Sequence, residues 1–237
     1  MPQHVIIMGG TSGIGLVTAE ILLNQGFKVT VAGRNARRLA DAGERLRHAA
    51  QTVAVDGADP DAAAAFFRQQ GSCDHLVLAF GSTRGVGPFE SVGVDDVRRG
   101  FNEKVFPHFA CAQVARPFLS PNGSITFVSA VTAFAAMSGT AGIGAANAAI
   151  ASLVPTLASE LRPLRVNGVA PGVIDTPWWD FLSAEQKAGA FADFARKTPV
   201  GRVGTSQDIG QTIAFLITNT FMTGQTIICD GGIRLSA

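Results

Sequence analysis

What most narrows the fold of this chain is the way it begins. A short apolar run, Val5–Met8, passes directly into Gly9-Gly10-Thr11-Ser12-Gly13-Ile14-Gly15, and a helical pattern continues to about Gln25. A brief apolar run closed by glycines reads as a buried strand, and the glycines permit a tight turn into the helix. The alternation then repeats. Strand-like runs stand at Lys28–Ala32, Thr52–Val55, His75–Phe80, Ser124–Val128, Arg165–Val169 and Thr226–Cys229. Helical patterns follow Asn35, cover Ala62–Gln70, and run from about Val94 to Leu119, from about Ala141 to Arg162 and over Gln207–Thr218. Strands separated by helices need right-handed crossovers, which predicts an α/β chain: one doubly wound parallel sheet with helices on both faces. No linker or repeat interrupts the pattern, so residues 1–237 are expected to form a single domain. In such sheets ligands bind beyond the carboxyl ends of the strands, near the point where strand order reverses.

Charge and composition remove several function classes. Nineteen Lys and Arg stand against 18 Asp and Glu, a net charge of +1, which gives no electrostatic reason to expect nucleic acid or an anionic membrane as partner. Three cysteines (Cys73, Cys111, Cys229) and four histidines lie far apart in no ligand spacing, so no metal is expected, and a reduced, cytoplasmic setting is. Charged residues are only 16% of the chain, and none occurs between Arg116 and Glu160. The turn at Pro121-Asn122-Gly123 and scattered Ser, Thr and Asn break that stretch below the ~20 apolar residues of a membrane span. It reads instead as a strand and a helix covered on more than one side, which points to a homodimer or homotetramer.

The glycine turn presents backbone N–H groups at a helix N-terminus, the arrangement that holds a pyrophosphate. About 20 residues on, where an NAD site carries an acid for the ribose 2′-hydroxyl, stands Gly33, followed by Arg34 and Asn35. A guanidinium suits a 2′-phosphate, so NADP(H) is the expected cofactor.

With Asp56 after the third strand, Arg165-Val166-Asn167, Pro171-Gly172, Thr176 and Asp230-Gly231-Gly232, the chain resembles the short-chain dehydrogenase/reductase family over its full length. The resemblance implies a Rossmann domain, usually dimeric or tetrameric, and a set of cofactor-binding residues. These are Gly9, Thr11, Ser12, Gly13, Ile14 and Gly15 at the turn; Arg34, Asn35, Asp56 and Gly57 on the adenosine side; and Ala79, Phe80, Gly81, Ser129, Asn147, Pro171, Gly172, Val173 and Thr176 toward the nicotinamide. Met8 departs from the family's usual Thr. Leu78-Ala79-Phe80-Gly81 replaces its Asn-Asn-Ala-Gly, which removes two strand-tying amides.

The catalytic half departs further. The family uses a Ser, a Tyr-x-x-x-Lys on the next helix and an Asn on the preceding one. This chain contains no tyrosine. Gap-free alignment from Asn102 to Asn147 keeps that Asn as Asn102, but puts Ala130 at the Ser, Ile143 at the Tyr and Asn147 at the Lys. Lys104, two residues beyond Asn102, is expected on a different helix face, and His108 is expected to be a packed or surface residue rather than a base. Ala130, Thr132, Ser138, Ile143 and Trp178 are expected to line the substrate pocket, the pair Trp178-Trp179 pointing to an apolar ligand or to a neighbouring subunit. Loss of a positioned acid costs ~10²–10⁴ in rate, which favours an activated acceptor over a simple ketone. Two function classes follow: an atypical NADP(H)-dependent oxidoreductase, or a non-catalytic NADP(H)-binding sensor or partner subunit.

Overall fold

The structure, a computed structural model, describes residues 1–236. Seven parallel strands form one sheet in the order β3-β2-β1-β4-β5-β6-β9, from β1 (His4–Met8), β2 (Lys28–Gly33), β3 (Gln51–Ala54), β4 (Cys73–Leu78), β5 (Leu119–Val128), β6 (Arg165–Pro171) and β9 (Thr226–Cys229). The doubly wound sheet expected from the alternation is therefore present, and strand order reverses between β1 and β4. Strand β1 is buried on both faces, which is why its Val5–Met8 reads as an unbroken apolar run; β6 is buried as well, although it carries the polar Arg165 and Asn167. One core, around Phe67, Phe127 and Ile150, lies on one side of the sheet; the other, around Leu16, Leu22 and Ile213, lies on the opposite side.

The connecting helices are α1 (Gly13–Asn24), α2 (Ala36–Arg45), α3 (Pro60–Gln70), α4 (Val94–Gly100), α5 (Phe106–Ala115), α6 (Ala141–Glu160), α7 (Ala184–Lys197) and α8 (Ser206–Thr218). Helix α7 and a two-stranded ribbon, β7 (Ile174–Asp175) with β8 (Gly204–Thr205), were not foreseen from the apolar pattern. The ribbon strands have two residues each, too few to show a period, and α7 buries none of its residues.

Two expectations need correction. The single helix from Val94 to Leu119 is broken. Between α4 and α5 the chain opens into a π-helical turn, Phe101–Val105, closed by the Phe106 N–H on the Phe101 carbonyl five residues back. Pro107 supplies the cause: it has no N–H for the Glu103 carbonyl, and its ring collides with that carbonyl in a regular helix. Second, α6 is long and apolar enough to cross a membrane by length and composition, contrary to the expectation from uninterrupted run length. Here it packs along β6, with Gly142, Ala146, Ile150, Val154 and Ala158 buried.

The amino ends of β6 and β9 are tied together. Asn167 on β6 donates to the Met222 carbonyl (2.8 Å) and accepts from the Gln225 N–H (3.2 Å). The Arg165 guanidinium donates to the carbonyls of Leu216 and Ile217 (both 2.8 Å), closing the C-terminus of α8. The resemblance's Arg-Val-Asn triplet is thus a structural tie between β6 and the segment leading into β9.

Candidate active site

A cleft of about 1660 Å³ opens over the carboxyl ends of the strands, at the strand-order reversal. Every cofactor and substrate-pocket residue expected from the sequence lines it, whereas Asn102, the retained catalytic position, does not. The first wall is the glycine turn. Gly9 has φ +77°, and a Cβ there would come within 2.6 Å of the Ala79 carbonyl oxygen; a Cβ on Gly15 would lie 2.4 Å from that of Gly9. Both positions therefore demand glycine. Ser12 caps α1 with extended backbone, yet its side chain makes no capping bond. Its hydroxyl and the unpaired N–H groups of the first turn are free for an anion.

The second wall follows β2. A Cβ on Gly33 would meet the Thr11 methyl at 2.7 Å, so the place of a ribose-binding acid is closed to any side chain. Beyond it Arg34 and Arg38 both border the cleft, and among the described residues neither takes part in an ion pair. Arg38, in the first turn of α2, was missed in the sequence. Asn35 borders the cleft too, but its side-chain oxygen accepts from the Arg38 N–H (2.9 Å) and so caps α2. Asp56 is exposed and accepts from the Ala58 N–H (3.0 Å); Gly57 beside it leaves room for the Phe80 ring, which a Cβ would touch at 2.5 Å.

Next to Leu78 and Ala79, which stand at the two missing amides, aromatic rings pack together. Phe80 meets His108 edge-on (5.2 Å between centroids), and His108 stacks on Phe127 (6.0 Å). His108 is fully buried, as the packed alternative required. Its Nδ1 lies 2.6 Å from the Lys104 carbonyl and its Nε2 3.0 Å from that of Leu78. Burial first, and then the Lys104 charge, push its pKa down to about 3, so the ring is neutral. Its single N–H donates to one of these two carbonyls.

The π turn decides which side chain reaches the cleft. Asn102 is exposed and does not line it, a correction to the gap-free alignment. Lys104 does line it, and is buried. The extra residue in the π turn rotates the chain so that the face reached at 104 is the inner one. The Lys104 ammonium donates to the Asn147 side-chain oxygen (2.6 Å) and to the Ser129 carbonyl (3.3 Å). Asn147, in turn, donates its amide N–H to the Thr132 hydroxyl (2.9 Å). Desolvation pushes the Lys104 pKa down to about 8. Asn147 and Ile143 are buried on α6, and Ala130 ends the wall beyond β5; Ser129 turns its hydroxyl to the Val169 carbonyl (3.4 Å). Ser138 is exposed at the rim.

The lid segment after β6 closes the mouth. Thr176 accepts from the Trp178 N–H at the start of a short helical turn (3.3 Å). The Trp178 indole N–H donates to the Ser82 carbonyl (2.7 Å), 96 residues away in sequence, and that of Trp179 to the Ile174 carbonyl (3.0 Å). Trp178, Trp179, Phe181, Phe191 and Phe194 pack on one another, so both tryptophans have partners within their own chain as well as a face on the cleft.

The family model described as Enoyl-(Acyl carrier protein) reductase matches residues 9–234. A 3-oxoacyl-[acyl-carrier-protein] reductase FabG of Chlamydia pneumoniae is 30% identical over 98% of this chain and 96% of its own. The cis-4-hydroxycyclohexanecarboxylate dehydrogenase of Sinomonas cyclohexanicum is 31% identical over 96% of this chain and 94% of its own. Among solved structures, a small-chain dehydrogenase in complex with NADPH is 30% identical and covers 99% of this chain and 100% of that one, with a TM-score of 0.88. A glycine turn feeding α1, a cleft at the strand-order reversal and likeness over nearly the whole length agree: the chain belongs to the short-chain dehydrogenase/reductase family of oxidoreductases.

Proposed function

We propose that this protein is an atypical NADP(H)-dependent oxidoreductase that reduces an activated, carbonyl-like small molecule without a tyrosine acid. The observation that carries the cofactor choice is the end of β2. The position for a ribose-binding carboxylate is sealed by Thr11, while two arginines without ion-pair partners stand beside it. The dinucleotide supplies the hydride when bound. The chain's own residues do the rest: the Gly9–Gly15 turn holds the pyrophosphate, Arg34 and Arg38 hold the 2′-phosphate, and Trp178, Phe181 and Ile143 keep water from the apolar end. Calorimetric titration with NADPH and NADH tests this. Tight binding of NADPH, weakened about tenfold by Arg34→Ala or Arg38→Ala with NADH unaffected, supports it. Equal affinity for the two dinucleotides, or equal weakening of both, overturns the cofactor assignment.

A second reading, a non-catalytic NADP(H)-binding sensor or partner subunit, is favoured by one observation: Ala130, Ile143 and Asn147 stand where the resemblance places Ser, Tyr and Lys. It requires tight binding with no turnover of ketones, enones, imines or quinones. In either reading the chain is proposed to self-associate through α5 and α6. Phe106 and Phe109 are exposed on α5, and only 28% of the most apolar stretch of α6 is covered within its own chain. Sedimentation equilibrium showing a monomer at micromolar concentration refutes this. A reducing, cytoplasmic setting fits the three free cysteines, of which Cys73 and Cys111 are buried with their pKa pushed up to about 12.

A further inference from the structure

Lys104 presents an unusual balance of charge. Its ammonium is buried, yet its protein partners are neutral: a carboxamide oxygen on Asn147 and a backbone carbonyl on Ser129. Among the described residues no carboxylate lies within ion-pair distance of it. The neighbouring acid, Glu103, is already occupied: it accepts from the Ser82 hydroxyl (2.7 Å) and faces Arg84 (3.7 Å). His108, the other titratable group in contact, is neutral and gives the site no anion. A buried cation without a counter-ion is costly, and proteins tolerate one where a ligand completes the pair. An ammonium has three N–H donors, and two are used. Thr132 adds a second unspent donor. Its hydroxyl oxygen accepts from Asn147, which leaves its O–H free, and it too borders the cleft.

The surrounding surface says what such an anion is attached to. Ile143, Met137, Trp178 and Phe181 line the same space and are apolar or aromatic. A small inorganic ion leaves that surface wet, whereas an organic acid covers it. From this we infer that the substrate side of the cleft recognises an amphipathic organic anion, a carboxylate or enolate, whose ionised oxygen pairs with Lys104 and Thr132 while its apolar body lies against the lid. The inference rests on reading the cleft as a dinucleotide-dependent oxidoreductase site, and names the substrate class for it.

Phenylacetate and phenylacetamide are suitable probes, since they share a ring and differ in the charge. Each is titrated by calorimetry into the full-length protein, alone and with saturating NADP⁺, using wild type, Lys104→Met and Thr132→Val. Lys104→Met keeps the volume of the stem and removes the charge; circular dichroism and thermal melting report whether it stays folded, and Thr132→Val gives an independent reading if it does not. The expected result is that phenylacetate binds wild type about tenfold or more tightly than the amide. Lys104→Met abolishes that preference and Thr132→Val reduces it. Equal binding of acid and amide, or a preference that survives Lys104→Met, overturns the inference. So does a Lys104→Met that weakens NADPH alone, which makes the ammonium a cofactor ligand. Failure of NADPH to bind, with the acid preference intact, instead refutes the oxidoreductase reading and leaves the anion site standing.

Discussion

Two buried histidines give the protein a predictable weakness to acid. His75, on β4, donates or accepts at the Ser124 hydroxyl (2.8 Å) and is 2% exposed; burial first, and then the Arg165 charge, hold its pKa at about 4. His108 is held at about 3 by burial and by Lys104. Both lie below the ordinary 6.5, so the unfolded chain takes up protons that the folded one refuses. Stability from these groups is complete above pH 6.5 and is lost as pH falls. The slope ends only below about 4 for His75 and about 3 for His108. At pH 5 an ordinary histidine is almost fully protonated, while one held at about 4 is roughly one-tenth protonated, a difference of about 2 kcal/mol. His108 contributes a similar ~2 kcal/mol, so the pair removes about 4 kcal/mol from a typical total of ~5–15. His4, whose pKa is also lowered by burial, acts in the same direction. Urea unfolding at pH 7 and pH 5 measures the loss. In His75→Gln the difference between the two pH values is expected to shrink by about 2 kcal/mol, whatever the variant's stability at pH 7. If it shows the same pH 7 to pH 5 loss as wild type, the protonation argument is wrong.

Other expectations follow from single contacts. Asn147→Lys places a second ammonium against that of Lys104 and should cost about 3 kcal/mol in urea unfolding, while the exchange Lys104→Asn with Asn147→Lys recovers most of it; no recovery means the pair is not a unit. Gly33→Ala should weaken NADPH binding because its Cβ meets the Thr11 methyl, and Thr11→Ser, which lacks that methyl, should restore it; an additive pair of losses contradicts the close approach. Trp178→Phe removes the indole bond to Ser82 and should lower stability by about 1 kcal/mol, or ~2–4 °C in Tm, with faster proteolysis around Pro177–Leu182; an unchanged cleavage rate argues against a lid held by that bond.

The parts of this fold legible in the sequence are those with a strong local period. Strand β1 is covered on both faces and announces itself as an apolar run, and the glycine turn could be read because steric demands at Gly9 and Gly15 leave no other residue. Arg34 was legible from its distance to the glycines. Arg38 was not, because its role depends on the angle at which α2 leaves β2. The larger error concerned Lys104. Counting faces along a regular helix from Asn102 sent Lys104 away from the site, and the helix there is not regular. Pro107 carried the warning, since a proline inside so long a helical pattern marks a break. Which side chain the break then turns inward depends on how the flanking helices pack, and that is not written in a local residue pattern.

The lid tryptophans also give the protein a built-in optical probe. With two tryptophans and no tyrosine in the chain, nearly all of its near-ultraviolet emission arises from Trp178 and Trp179, at the mouth of the cleft. A reduced nicotinamide absorbs where indole emits. Its arrival beside these rings would register as quenching and transferred emission, so occupancy and lid motion can be followed in the unmodified protein without a label or a turnover assay.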